Sequence, residues 1–351
     1  MLKVAKQITT INRLRACYRL TATETSDVLI RRSDKTGAYY ANLCVCGNVW
    51  CCPVCSAKIL AKRADEISRA LANHIVGGGE AWMVTFTLRH DWHHGLAELF
   101  DALQDGFKKL GQGVMAVRER EATALIGTIN SREITYRRGW HPHLHVVVLF
   151  EQAPDLMAFA KLIKRWERIW LAWTAKQGFP ADAKHGIDWT KVVTATDAGE
   201  YLAKAQDSGR TIGAEVARGD LKRGRLGSLT PFELLEYVDR TGDKAGVDLW
   251  REYETATTGK RRRRISWSHG LRARLLPEDD QERDDAELAA ADQDGEDSAL
   301  ISSETWKAIV SADLEARVLE AIDRDGFRGL VQLLTAWRIG TSGVTDRSDQ
   351  S

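Results

Sequence analysis

No stretch of the 351 residues stays apolar for the roughly 20 positions that a membrane-spanning helix requires. The first residues, Met1 to Lys6, lack the apolar run of a secretory signal. A cytoplasmic protein with no membrane partner is therefore expected. Internal repeats are absent as well, which excludes a repeat array. Net charge is nearly absent, at +1. That figure conceals an asymmetry. Residues 277–297 hold eleven acidic side chains against one basic, so the rest of the chain carries a surplus of eleven positive charges. A basic body with an acidic segment fits a nucleic-acid protein. An ordinary mixed surface with a solvated linker fits the same count.

What is present describes a globular chain. Apolar residues make up 44% and charged residues 28%, a balance outside the range of disordered sequences. The length suits one large domain or two ordinary ones. Helical spacing of Ile59, Leu60, Ile67 and Leu71 predicts a helix over 56–76, ended by the glycines at 77–79. Residues 82–88 have strand composition and 95–110 read as a helix. Residues 126–136 and 140–150 read as two strands joined at Arg137, Arg138 and Gly139. A Trp-rich helix is expected over 157–174, a short strand over 187–194 and a helix over 197–206. Thr230 and Pro231 open another helix, and 302–337 reads as a helical pair. Strands alternating with helices around a hairpin predict an α+β fold with a mostly antiparallel central sheet.

Five of the six cysteines fall between positions 44 and 55. Their spacing forms a CxC pair and a CPxC pair, each short enough to bend around one ion. Cys44, Cys46, Cys52 and Cys55 are the expected zinc ligands, with Cys51 as a spare. Four thiolates leave no open position for chemistry, so the role of Zn²⁺ would be structural. A disulfide framework does not suit a cytoplasmic chain of this size.

Residues 140–150 carry the sharpest signal. Side chains alternate along a strand, so His141, His143 and His145 share one face while Leu144 and Val146 face the other. Three histidines on one side of an apolar strand are hard to explain by packing. If the hairpin turns at 137–139, Tyr136 pairs with Trp140 and Glu133 lies opposite His143 on the same face. A carboxylate with two imidazoles would leave positions open on a divalent ion. A register slip of one residue would send Glu133 to the other side.

Asp197, Tyr201 and Lys204 stand at i, i+4 and i+7, one face of the expected helix. A phenol is a poor nucleophile at neutral pH unless nearby positive charge favours the phenolate. The same residues also suit plainer roles. Thr196 or Asp197 can cap the helix, Glu200 can complete a capping box, and Tyr201 can be core.

Taken in order, Thr85-Phe86-Thr87-Leu88, then His141-Pro142-His143-Leu144-His145, then Tyr201-Leu202-Ala203-Lys204 resemble the three motifs of HUH endonucleases. The cysteine segment upstream and Trp267-Ser268-His269-Gly270-Leu271 downstream narrow the resemblance. They are similar to the single-tyrosine rolling-circle replication initiators of bacterial plasmids, especially those of actinobacteria. The resemblance spans roughly residues 40–275 and rests on the combination of motifs.

It implies an HUH-endonuclease fold with helices flanking the antiparallel sheet. It also implies Mg²⁺ or Mn²⁺ on His143, His145 and Glu133, with His141 in the motif but outside the direct ligands. Tyr201 would attack the scissile phosphate, leaving a 5′-phosphotyrosine and a free 3′-OH. Asp197 occupies the position of a family glutamate that activates water at termination, and Glu200 is the neighbouring acid that can replace it. Plasmid origin DNA, single-stranded or extruded, is the implied partner, with host helicase, polymerase and single-strand-binding protein downstream. Arg261, Arg262, Arg263, Arg264 and Trp267 are candidates for phosphate and base contact.

The implied organisation is an N-terminal segment (1–40), a zinc module with its helix (41–76), the endonuclease core (77–210), a basic accessory region (211–276), an acidic linker (277–300) and a helical C-terminal region (301–351). Two other readings stand beside this one. A related HUH transposase or relaxase shares the motifs. A non-catalytic zinc-dependent DNA-binding regulator would account for the cysteines and basic runs but not for the histidine strand.

Overall fold

The computed structural model describes residues 1–23, 26–33, 37–192, 228–259, 262–277, 282–291 and 295–348. In chain order its helices are α1 (Leu2–Ile8), α2 (Asn12–Ala16), α3 (Pro53–Val76), α4 (Leu96–Leu110), α5 (Val114–Thr123), α6 (Leu156–Lys176), α7 (Pro231–Thr241), α8 (Lys244–Thr257), α9 (Leu271–Leu275), α10 (Asp285–Ala290), α11 (Ser303–Ser311) and α12 (Glu315–Ala336). Its strands are β1 (Val28–Ser33), β2 (Gly37–Ala41), β3 (Glu80–Phe86), β4 (Leu125–Tyr136), β5 (Trp140–Phe150), β6 (Ile187–Lys191), β7 (Ile265–Trp267), β8 (Glu296–Ile301) and β9 (Val344–Asp346). The chain divides into two units, one of Met1–Ile8 with Val49–Arg283 and one of Thr9–Asn48 with Asp284–Ser351. Both are α+β.

The first unit is built on a five-stranded antiparallel sheet in the order β6-β3-β5-β4-β7. Its longest feature is the β4–β5 hairpin. Tyr136 pairs with Trp140, and the Arg137 N–H donates to the carbonyl of Gly139. Gly139 sits at φ 110°, and a Cβ there would lie 2.4 Å from the Asp91 carbonyl oxygen. Only glycine fits that turn. Pro142 is tolerated because the β3 ladder stops at Leu144, so β5 has a paired neighbour on one side only at Pro142.

Strand alternation gives this sheet two different faces. One carries Trp82, Val84, Phe86, Leu144 and Val146 toward α4 and α6, where Phe86 meets the rings of Phe107, Trp166 and Trp170. The other carries Ile129 and Val147 into a cluster with Ile67, Leu71 and Leu271 from α3 and α9. Helix α3 begins at the Cys52–Pro53 step, where Cys52 is the N-cap and Pro53 the first helical residue. Helix α7 opens with a capping box of Thr230 and Glu233.

Within the expected basic accessory region, Ile265–Trp267 join the core sheet. Its strand β7 pairs with β4 as an edge of the same sheet, Ile129 opposite Trp267.

The second unit holds a four-stranded antiparallel sheet, β2-β1-β8-β9, under α11 and α12. The segment expected as an acidic linker contributes to it. Asp284 and Glu287 form a capping box for α10, and β8 pairs with β1. Ala299 and Ile301 face inward, and a register shift between Ile30 and Arg31 turns Asp297 to the outer side, where it meets Arg31 at 2.9 Å, so the acidic run reads as solvated although its last residues are strand. The N-terminal residues, which show no strong periodicity, supply β1 and β2 to the same sheet. Among the described residues no helix is long and apolar enough to cross a membrane.

Candidate metal centre

The register of the hairpin positions the histidines. Glu133 is directly opposite His143, and His145 is paired with Ser131 on one side and Thr85 on the other. Ligand atoms of Glu133, His143 and His145 all lie within 4.8 Å of one another, and all three residues are half-buried. The Glu133 and His145 side chains are 15% and 17% exposed. The group is therefore not sealed from solvent. These three residues can hold a metal ion.

The neighbours of His145 fix its ring. Nδ1 lies 3.1 Å from the Thr85 hydroxyl and Nε2 lies 3.2 Å from Glu133 Oε2. With Nδ1 engaged by Thr85, Nε2 is the nitrogen turned toward the carboxylate and available to a cation. In the sequence, Thr85 stands out only as part of a motif. Its position opposite a histidine on a neighbouring strand is the signal that assigns it a role.

His141 turns elsewhere. Its Nδ1 is 2.8 Å from Nδ1 of His90, and the two rings are 4.3 Å apart. Burial, then the neighbouring His90, push the His141 pKa down to about 4 against the pull of Glu133. Burial lowers His90 too. His141 is therefore a neutral imidazole at pH 7, outside the three-residue group although on the same face. Nothing in the sequence pointed to His90, which lies beyond the end of β3.

The expected zinc ligands fall in both units, Cys44 and Cys46 in the second and Cys52 and Cys55 in the first. Cys46, Cys52 and Cys55 are buried and Cys44 is half-buried. None of the six cysteines is in a disulfide. The Tyr18 N–H donates to the Cys44 carbonyl and the Cys44 N–H donates to the Leu20 carbonyl, so the buried Cys17 adjoins the segment that carries Cys44. Cys51 lies in the first unit. Burial pushes its thiol up to about 12, and its sulfur is 3.7 Å from the Thr257 hydroxyl.

Two curated proteins are similar to this chain. A Streptomyces lividans protein named Protein rep is 34% identical over 368 aligned positions, covering 86% of this chain and 80% of that protein. The chain belongs to the Rep protein family. A Streptomyces cyanogenus protein named Neomycin resistance protein is 25% identical over 306 positions, covering 66% of this chain and 69% of that protein. No family model matches, and no solved structure matches.

The remaining candidates of this Rep-family chain divide. Tyr201, Asp197, Glu200 and Lys204 lie outside the described residues, as does Arg261. Arg262 and Arg264 are committed to the fold and not to an open DNA surface. Arg262 pairs with Asp101 at 2.7 Å and covers the Phe100 ring. Arg264 is buried, donating to the Val49 carbonyl and the Ser56 hydroxyl and lying over Trp50. Trp267 packs against the cluster beneath the sheet. Strand alternation and the need to pair buried charge explain all three corrections. Arg263 remains exposed.

Proposed function

We propose that this Rep-family chain is a plasmid rolling-circle replication initiator of the HUH type, which nicks one strand of origin DNA by tyrosine transesterification. The observation that carries the reading is the half-open group of Glu133, His143 and His145 on one hairpin face, in a chain with a Rep relative over most of its length.

The donor set fits Mg²⁺ or Mn²⁺, since one carboxylate and two imidazoles leave coordination positions for substrate oxygens. Such an ion would polarise the scissile phosphate and offset charge in the transition state. Glu133, His143 and His145 would hold that ion, and the Thr85 hydroxyl at 3.1 Å from Nδ1 orients the His145 ring with Nε2 toward Glu133.

Tyr201 is the nucleophile in this reading. Its phenolate oxygen bonds to phosphorus as the bond from phosphorus to the 3′-oxygen breaks. The phenol gives up its proton to solvent, helped by the positive charge of Lys204, and the departing oxygen takes one up as the 3′-OH primer. The 5′-phosphate stays on Tyr201. Asp197 and Glu200 are the acids available to take a proton from water when the strand is released. The cysteines clustered between positions 44 and 55 suit zinc in a closed structural site. Replacing Cys52 with Ser is expected to release about one zinc equivalent, measured by metal analysis.

Incubation with labelled single-stranded origin DNA and Mg²⁺ or Mn²⁺ tests the reaction. A covalent protein–DNA adduct mapping to Tyr201 is expected, and Tyr201→Phe yields neither adduct nor nick. A Tyr201→Phe protein that nicks at the original rate would sink the mechanism.

A further inference from the structure

The face of the hairpin turned away from the histidines carries another polar cluster. Alternation along β4 sends Thr128, Asn130 and Arg132 to the side opposite Glu133. There, with residues of α4, α5 and α6, they line a cavity of about 360 Å³. That volume is at the lower end of the range of small-molecule sites.

Four residues that line this cavity each carry a buried polar side-chain atom with no hydrogen-bond partner among the described residues. The atoms are Gln104 Nε2, Asn130 Oδ1, Arg132 Nε and Trp166 Nε1. Gln104 is 8% exposed and Trp166 is 5% exposed. Buried polar groups are nearly always paired, so four on one cavity point to a ligand with matching groups. Three of the atoms are N–H donors and one is an acceptor, which calls for a ligand richer in acceptors.

Charge points the same way. Lys108, Arg120, Arg132 and Arg165 line the cavity, and no carboxylate does among its described lining residues. Lys108 is paired with Asp105 and Arg165 with Glu119, so Arg120 and Arg132 carry the excess. Burial, then nearby Arg262, push the Arg132 pKa down to about 10. Arg132 is still a cation at pH 7, in surroundings that an anion would improve.

The rest of the wall is apolar and aromatic, with Phe107, Leu162 and the Trp166 ring. Side-chain amides such as those of Gln104 and Asn130 suit the mixed donor and acceptor edge of a nucleobase. Guanidinium groups suit phosphate.

We propose that this cavity binds a mononucleotide unit, with the phosphate neutralised by Arg120 and Arg132 and the base held by Gln104, Asn130 and the aromatic wall. The unit can be a free nucleotide or one residue of a strand, since the chemistry is shared. The site is distinct from the Glu133 group and does not depend on the nicking reaction.

The test uses the full chain without added Mg²⁺ or Mn²⁺ and a labelled deoxynucleoside 5′-monophosphate, each base in turn, in equilibrium dialysis. Saturable binding is expected for at least one base, with the corresponding nucleoside and inorganic phosphate each at least tenfold weaker. Gln104→Leu and Arg132→Met should each weaken binding at least tenfold with the thermal midpoint little changed. If Arg132→Met fails to fold, Gln104→Leu decides alone. A short oligonucleotide that displaces the label identifies the strand as the source, and one that does not identifies the free nucleotide. If no mononucleotide binds saturably, or if Gln104→Leu binds as tightly as the parent, the proposal is overturned.

Discussion

The five-stranded sheet of the first unit carries Glu133, His143 and His145 on a half-open face, whereas the four-stranded sheet of the second unit turns Val28, Ile30, Ala299 and Ile301 into an apolar core with Trp306, Ile309 and Ile322. Both sheets are antiparallel; the second buries one face under α11 and α12, whereas the first packs one face on α4 and α6 and part of its histidine face on α3 and α9. The difference lies in what the inward or half-inward strand positions hold. An imidazole or carboxylate at such a position forgoes packing and costs desolvation. The second sheet puts its charge on the outside, as in the Arg31–Asp297 pair, where an ion pair is worth little. The first sheet places three ionisable groups at adjacent ladder positions. Strands of similar construction thus separate into one that carries a candidate reaction centre and one that supplies stability.

The largest expected effect tests the second half of that contrast. Trp306 is 1% exposed, packs edge-on against Tyr40 at 4.8 Å and donates from its indole nitrogen to the Arg19 carbonyl. Trp306→Ala is expected to cost about 3–5 kcal/mol of unfolding free energy. Denaturant titration measures it, and nicking per folded molecule should be unchanged. The reverse holds for His143. His143→Ala is expected to lower nicking about 10²–10³-fold, in line with loss of one electrostatic contact to the transition state. The unfolding free energy should shift by less than about 1 kcal/mol, as for most partly exposed positions. If His143→Ala unfolds the chain, or Trp306→Ala abolishes nicking by folded protein, the contrast fails.

The histidine face was legible because two local rules agree. Strand alternation sets the side, and the three-residue turn at Arg137–Gly139 sets the register that puts Glu133 opposite His143. The neighbourhood of Cys17 was not legible. Backbone bonds join Tyr18 and Leu20 to Cys44, a pairing between segments more than twenty residues apart. Arg264 and Trp267 misled for a related reason. A run of arginines followed by a tryptophan looks like a DNA-contacting loop until β7 is paired with β4 and each side chain finds its partner inside. The acidic segment hid a strand because only Ala299, Leu300 and Ile301 at its end are apolar, too short a pattern to outweigh the charges before it.

The smallest effect asks how far the function of the first sheet extends beyond its ligands. Thr85 touches no substrate in the proposed reaction. It lies on β3 opposite His145, and its hydroxyl is 3.1 Å from Nδ1. Thr85→Val keeps the β-branched shape that suits the strand and removes only the hydroxyl. His145 then loses the partner that orients its ring, and Mn²⁺ affinity and nicking should each fall about 10–100-fold. Thr85→Ser restores the hydroxyl and should recover most of both. Metal titration and nicking rates on the two variants separate this positioning role from packing. Packing alone would leave Thr85→Val near the parent and make Thr85→Ser, which loses the methyl group, the weaker protein.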